Sequence, residues 1–277
     1  MDGDVIVILI VLSAIGGFLS GLLGIGGGVI FVPILTFVFE KMGVSNIDFT
    51  SSVLANSFTI ILFASAAATV KHILAKNIKL KYLLITGVSG VVTSLLVAYF
   101  VLNSDLYSKK FFLLLFFGIL ILVLIRLLFF KKAGNEKEIE NIKGYKFLIV
   151  GAFTGIISGL TGVGGGVIMV PAFSSVLKVP LKIAIGLSTG AIFIFALTNF
   201  LQYGFMQPEQ VLSKYQLGFI RFDIIIYPIL AVLFFAPLGV FGAQKLKSKS
   251  LKWIFILLLV VIIIKTILTI LKEFGIV

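Results

Sequence analysis

The sequence predicts an all-α polytopic membrane protein, about eight transmembrane helices in two homologous four-run repeats with glycine-broken or re-entrant helices. Three observations carry that expectation. The 277 residues are 60% hydrophobic and only 12% charged, with a mean hydropathy of +1.23, which no water-soluble domain of this size shows. The apolar residues fall into runs of roughly twenty, the length that spans a bilayer core. One glycine-rich stretch occurs twice in fixed register.

That stretch, Gly21-Leu22-Leu23-Gly24-Ile25-Gly26-Gly27-Gly28-Val29-Ile30-Phe31-Val32-Pro33, returns as Gly159-Leu160-Thr161-Gly162-Val163-Gly164-Gly165-Gly166-Val167-Ile168-Met169-Val170-Pro171. Every glycine of the first copy has a glycine 138 positions later, and Ser20 and Pro33 likewise find Ser158 and Pro171. Such a match marks an internal duplication. Glycines at this density cost a helix about 1 kcal/mol each against Ala. In return they give backbone freedom and let a ligand approach main-chain N–H groups. The residues from Val29 and Val167 onward suit a helix again. Each copy therefore reads as a break followed by a fresh helix N-terminus whose unpaired N–H groups favour an anion. Pro33 and Pro171 loosen the new helix and free the carbonyls of Val29 and Val167. Small-xxx-small helix crossing explains Gly17-x-x-x-Gly21 and Gly155-x-x-x-Gly159 well, but three consecutive glycines ahead of a proline poorly.

Taken in order, Val5 to Leu23 is the first span. With Val29 to Phe39 after the break it is too long for one straight span and too short for two, so a broken helix or a re-entrant hairpin is expected. Ser51 to Val70 is the second run, with Ser52, Asn56, Thr59 and Ser65 recurring at roughly helical spacing. These polar groups either pack against neighbouring helices or line a cavity, because an amide such as Asn56 is costly in lipid without a partner. A basic loop follows, from Lys71 and His72 to Lys81, and places His72 at a membrane interface. Tyr82 to Leu102 and Phe111 to Phe130 complete the first repeat, residues 1–130. Residues 131–144 form a charged linker.

The second repeat, residues 145–277, follows the same plan. Tyr145 to Val176 holds the second break. Leu181 to Phe205 carries Ser188, Thr189 and Asn199, with Ser188 falling where Ser52 does if the register holds. Phe222 to Ala243 is the seventh run, Lys245 to Lys252 a basic turn, and Trp253 to Leu271 the last run. Lys265 in that run either snorkels or faces inward. Eight crossings put both termini on one face. The loop after the second run and the linker make that face the richer in Lys and Arg, so a cell-membrane protein with cytoplasmic termini is expected. The basic turn at Lys245 to Lys252 argues the other way.

Composition also excludes functions. The net charge of +12 lies between the apolar runs, where it sets topology and meets the lipid bilayer, so nucleic acid is not expected as a partner. The chain has no Cys and one His. Thiolate chemistry and multi-histidine metal centres are thereby excluded, and no cofactor is expected. A dinucleotide fingerprint needs a third glycine where Val29 and Val167 stand, and a phosphate loop needs a lysine that both motifs lack. No His/Asp/Glu cluster or nucleophile–base pair marks an enzyme. Glu40, Asp48 and Asp223 sit near run ends, which argues against a carboxylate proton relay inside the membrane.

The paired motifs from Ser20 to Pro33 and from Ser158 to Pro171, one per half, resemble the TauE/SafE family of membrane transporters, also called sulfite exporters or DUF81. The starts of the following runs at Ser51-Ser52 and Ser188-Thr189, with His72 and Asp223, add weaker support. The resemblance implies transport of sulfur-containing or small organic anions such as sulfite or sulfonates. The residues agree on the sign of the charge: two helix N-termini and glycine amides favour a small anionic substrate near the repeat interface. The candidate substrate-binding residues are Ser20, Gly24, Gly26, Gly27, Gly28, Ser52 and Asn56 in the first half. In the second they are Ser158, Gly162, Gly164, Gly165, Gly166, Ser188 and Asn199. No Lys or Arg is placed at mid-membrane, so the site is expected to be neutral and dipolar. An anion channel fits the duplicated break nearly as well as a carrier. The oligomeric state stays open, with a homodimer as one arrangement.

Overall fold

A computed structural model describes residues 3–44, 46–104, 107–129, 138–209, 211, 213–245 and 248–275. Among these residues the chain forms ten α-helices: α1 (Gly3–Leu23), α2 (Gly28–Lys41), α3 (Asn46–Leu74), α4 (Leu80–Asn103), α5 (Lys109–Phe129), α6 (Gly144–Thr161), α7 (Gly166–Pro171), α8 (Leu181–Phe205), α9 (Phe222–Lys245) and α10 (Ser248–Glu273). A π-helical turn, Ala172–Val176, continues α7, and a short antiparallel pair, β1 (Gln216–Leu217) and β2 (Ile220–Arg221), precedes α9. About eight helices were expected. Ten form because each glycine break separates a long helix from a short one. Six of the described helices are long and apolar enough to cross a membrane. The linker expected over 131–144 lies outside the described residues through 137, as do residues 246–247 of the basic turn.

The helix contacts come in matched pairs. α1 packs along α9 and α6 along α4; α3 meets α9 and α8 meets α4; α3 and α8 cross each other at the centre; α5 lies on α10. Glycines make the closest of these approaches. A Cβ at Gly17 would lie 2.9 Å from Val232 Cα, and one at Gly155 would lie 2.8 Å from Gly90 Cα. The small-xxx-small faces thus pack as the sequence suggests, α1 on α9 and α6 on α4.

Directions follow from the same contacts. Gly17 meets Val232 and Gly21 meets Ala236, so α1 and α9 run parallel; Gly151 meets Thr86 and Gly155 meets Gly90, so α6 and α4 do too. Asp48 near the start of α3 accepts a hydrogen bond from the Glu209 N–H beyond the end of α8, at 3.2 Å. Gly186 near the start of α8 touches Asn77 beyond the end of α3. α3 and α8 are therefore antiparallel. Lys109 at the start of α5 pairs with Glu273 at the end of α10 at 2.7 Å, so those helices are antiparallel as well.

Each glycine stretch is the tip of a re-entrant hairpin. α2 returns to the face from which α1 enters, where its Glu40 pairs with Lys109 at 3.0 Å. α7 and its π turn return to the opposite face, where Phe173 and Leu177 pack with Tyr82, Ile139 and Ile142. One face, the termini face, holds the start of α1, the end of α10 and the Asp48–Glu209 contact. The other, the lysine face, holds Lys76, Lys79, Lys143 and Lys178, and there Lys79 Nζ contacts Glu140 at 3.0 Å. That charge pair holds the exposed Glu140 carboxyl below its usual range.

The core is centred on α3, which is buried continuously from Asp48 to Leu62. The outward faces are apolar: Leu84, Val88, Val92 and Leu96 of α4 and Leu257, Val261, Ile264 and Leu268 of α10 are exposed, as lipid contact requires. Lys265 is exposed on α10. Its Nζ lies 4.7 Å from the ring centre of Phe37 on α2.

Candidate functional site

The two hairpin tips meet at the centre of the molecule. The local geometry starts with Gly27 and Gly165, whose φ angles are +77° and +75°. A side chain in this left-handed region costs about 1–2 kcal/mol. This turn lets Gly27 O accept from the N–H groups of Ile30 and Phe31, and Gly165 O from those of Ile168 and Met169, starting α2 and α7. At the other end of each tip, Gly24 N–H donates to Ser20 O at 2.9 Å and Gly162 N–H to Ser158 O at 2.8 Å. Between these anchors, among the described residues, the N–H groups of Gly26, Gly27 and Gly28 and of Gly164, Gly165 and Gly166 bond to no protein group. The hydroxyls of Ser20 and Ser158 are fully buried and also unpartnered. An unpaired buried donor is costly, and helix N-termini carry partial positive charge. The arrangement can hold an anion.

The tips press on each other. A Cβ at Gly28 would lie 2.5 Å from both Gly162 O and Val163 Cα, and one at Gly166 would lie 2.7 Å from Ile25 Cα. Two serines bind the tips from the crossing helices: Ser57 Oγ donates to Gly162 O and Ser188 Oγ to Gly24 O, each at 2.8 Å. One turn further along, Ile61 and Ile192 cover Gly26 and Gly164. At Gly28 and Gly166 the backbones of the two tips are in direct contact.

Of the sequence candidates, Ser20, Gly24, Gly26, Gly27, Gly28, Ser158, Gly162, Gly164, Gly165, Gly166 and Ser188 come together here. Ser52, Asn56 and Asn199 do not. Asn56 is spent on the connection before α9: its Nδ2 donates to Ser52 O at 2.7 Å and to Phe219 O at 2.9 Å, and its Oδ1 accepts from Arg221 N–H at 2.8 Å. Asn199 Nδ2 donates to Phe195 O at 2.8 Å and to Ser94 Oγ at 3.1 Å, on the seam with α4. Ser188 pairs in role with Ser57, not with Ser52. Its register was misread because Ser57 follows Gly28 by 29 residues and Ser188 follows Gly166 by only 22. Ser57, Ile61 and Ile192 were missed. The signal was the shared Ser-x-x-x-Ile at 57–61 and 188–192.

His72 also departs from expectation. It is 2% exposed, packed beneath the turn after α3, with Nδ1 3.4 Å from Asn77 Nδ2. Among the described residues no group of three or more His, Cys, Asp or Glu side chains could hold a metal ion.

A cavity of about 590 Å³ opens on the termini face, lined among others by Asp48, Thr50, Tyr107, Lys109, Glu209 and Phe219. Of its lining residues, Tyr107 and Phe219 carry rings. Phe219 sits edge-on to Tyr203, with ring centres 6.3 Å apart, and Tyr203 stacks on Phe58 at 6.3 Å. Tyr107 donates its hydroxyl to Leu160 O, just ahead of the second tip. Burial pushes the Tyr107 hydroxyl above its usual range, so it stays protonated as a donor.

Comparison with known proteins bears on this geometry. The family model described as sulfite exporter TauE/SafE matches residues 9–266. A probable membrane transporter protein of Methanocaldococcus jannaschii is 28% identical over 249 residues, covering 88% of this chain and 89% of the relative. One of Haemophilus influenzae is 26% identical over 264 residues, covering 94% and 97%. The probable membrane transporter protein YunE of Bacillus subtilis is 28% identical over 211 residues, covering 70% and 76%. No solved structure matches the chain. With re-entrant hairpins at its centre and the family match running over nearly its whole length, the chain belongs to the sulfite exporter TauE/SafE family of membrane transporters.

Proposed function

We propose that the chain is a secondary carrier or facilitator of small anions, foremost sulfite and other sulfur-containing or organosulfonate anions, bound between the two hairpin tips. The carrying observation is the meeting of two opposed hairpin tips that bring unpartnered amides of Gly26–Gly28 and Gly164–Gly166 and the free hydroxyls of Ser20 and Ser158 to one place. Dipoles without a fixed cation bind weakly enough for release, as transport requires. Ser52, Asn56 and Asn199 then frame the route rather than touch the anion.

We further propose that residues 1–130 and 145–277 are inverted repeats joined by the linker 131–144, each made of a hairpin and three crossing helices. The matched contacts and the antiparallel α3 and α8 support this reading. The lysine face carries Lys71, Lys76, Lys79, Lys81, Lys143, Lys146, Lys178 and Lys182, whereas Lys41, Lys109, Lys110, Lys214, Arg221 and Lys272 of the termini face are interspersed with acids. By the positive-inside rule the lysine face is cytoplasmic and the termini lie outside. This reverses the sequence expectation, because a re-entrant hairpin moves the first terminus across the membrane relative to the loop after α3.

A channel is the second reading. The closed contact of Gly28 on Gly162 and Val163 favours a carrier. Uptake of sulfite, thiosulfate, sulfate, a short sulfonate and a short carboxylate into liposomes containing the purified protein tests both. Saturable uptake with counterflow of one or two sulfur anions supports the carrier. Uptake that neither saturates nor exchanges supports the channel, and no uptake of any of them overturns anion transport.

A further inference from the structure

We infer that Ile61 and Ile192 form the constriction that limits how large an organic group a transported anion can carry; the inference rests on the anion-transport reading above. The two residues come from α3 and α8, each four positions after the serine that binds the opposite hairpin tip. Both are fully buried, and each touches both tips. A Cβ at Gly26 would lie 3.2 Å from Ile192 Cγ2 and 3.6 Å from Ile61 Cγ2, and one at Gly164 would lie 3.4 Å from Ile192 Cγ2 and 3.4 Å from Ile61 Cδ1. Two isoleucines and two glycines thus make one apolar layer across the centre of the crossing, next to the unpartnered amides.

The layer divides the work. Amides and serine hydroxyls can carry the charged head of an anion, but they offer nothing to its organic part. That part must pass the isoleucines, which present only carbon and select by bulk rather than charge. β-branching holds each side chain near one χ1 rotamer in a helix, so the pair yields less readily than Leu or Met would. Glycine at 26 and 164 keeps side chains of the tips themselves out of the layer, so the isoleucines face bare backbone there.

The test is uptake of linear alkanesulfonates, from methanesulfonate to hexanesulfonate, by the full chain in liposomes. Wild type is compared with Ile61→Ala, Ile192→Ala and the double variant, and with Ile61→Val and Ile192→Val, which keep the side-chain shape and the fold. Wild-type uptake falls along the series. The ratio of hexanesulfonate to methanesulfonate uptake rises about tenfold or more in the Ala variants, with a smaller rise of the same sign in the Val variants. A ratio that stays constant in the variants that still take up methanesulfonate overturns the constriction and leaves anion transport standing. Wild type that takes up neither the sulfonates nor sulfite overturns the transport reading and this inference together.

Discussion

Ser57 on α3 donates to the carbonyl of Gly162, and Ser188 on α8 donates to the carbonyl of Gly24, both at 2.8 Å. Each crossing helix therefore binds the hairpin of the opposite half. If the tips must part for an anion to enter, one of these two bonds has to break. Because the two bonds are alike in geometry, a carrier can open one while keeping the other, which is what alternating access needs.

Ser57→Ala and Ser188→Ala each remove one such bond. Each is expected to lower stability by about 1 kcal/mol, the scale of a hydrogen bond between membrane helices. Thermal unfolding in detergent reads this. A larger loss in either variant would mean that the serine holds more than the tip.

Asn56→Ala strands the Phe219 carbonyl and the Arg221 N–H, both buried. Unsatisfied groups of this kind cost about 1–3 kcal/mol each. The account predicts a marked loss of folded protein and faster proteolysis within residues 206–221, rather than a pure loss of substrate affinity. Normal yield with weakened affinity would return Asn56 to the binding site.

Gly28→Ala puts a methyl group 2.5 Å from Gly162 O and Val163 Cα, which are backbone and cannot swing aside. The tips must separate to admit it. Lower stability is expected together with altered uptake kinetics, measured on the same preparation. Wild-type stability and wild-type kinetics would show that the tips are not in contact.

Orientation is open to direct measurement because the chain contains no Cys. Lys76→Cys and Glu209→Cys place single thiols on the lysine face and the termini face. In intact cells a membrane-impermeant thiol reagent should label Glu209→Cys and leave Lys76→Cys unlabelled. The opposite pattern would restore cytoplasmic termini.

Much of the fold was legible in the sequence because glycine and hydropathy act locally. The duplicated glycine run located both breaks, and the packing faces at Gly17, Gly21, Gly155 and Gly159 follow from small residues four apart. The reversal at each break was not legible, since glycine permits a continued or a returning chain with equal ease. That ambiguity also separates the expected orientation of the termini from the one proposed above. Asn56 found its partners 163 and 165 residues away, beyond any local pattern. His72 sits among lysines in the sequence, but α3 runs on to Leu74 and turns its ring inward. Ser57 was hidden because α2 is longer than α7 with its π turn, and because Ser57 lies about one turn deeper into α3 than Ser188 does into α8, which together shift the register that the glycines set.

The central claim is that an anion is held where the two hairpin tips meet. Its most direct test is saturable sulfite uptake by Gly27→Leu and Gly165→Leu in liposomes, with membrane insertion verified. Gly118→Leu on α5 is the control, because a Cβ there meets no atom within 4 Å. The account predicts wild-type uptake in the control and loss of uptake in both tip variants. Normal uptake in both tip variants would contradict it.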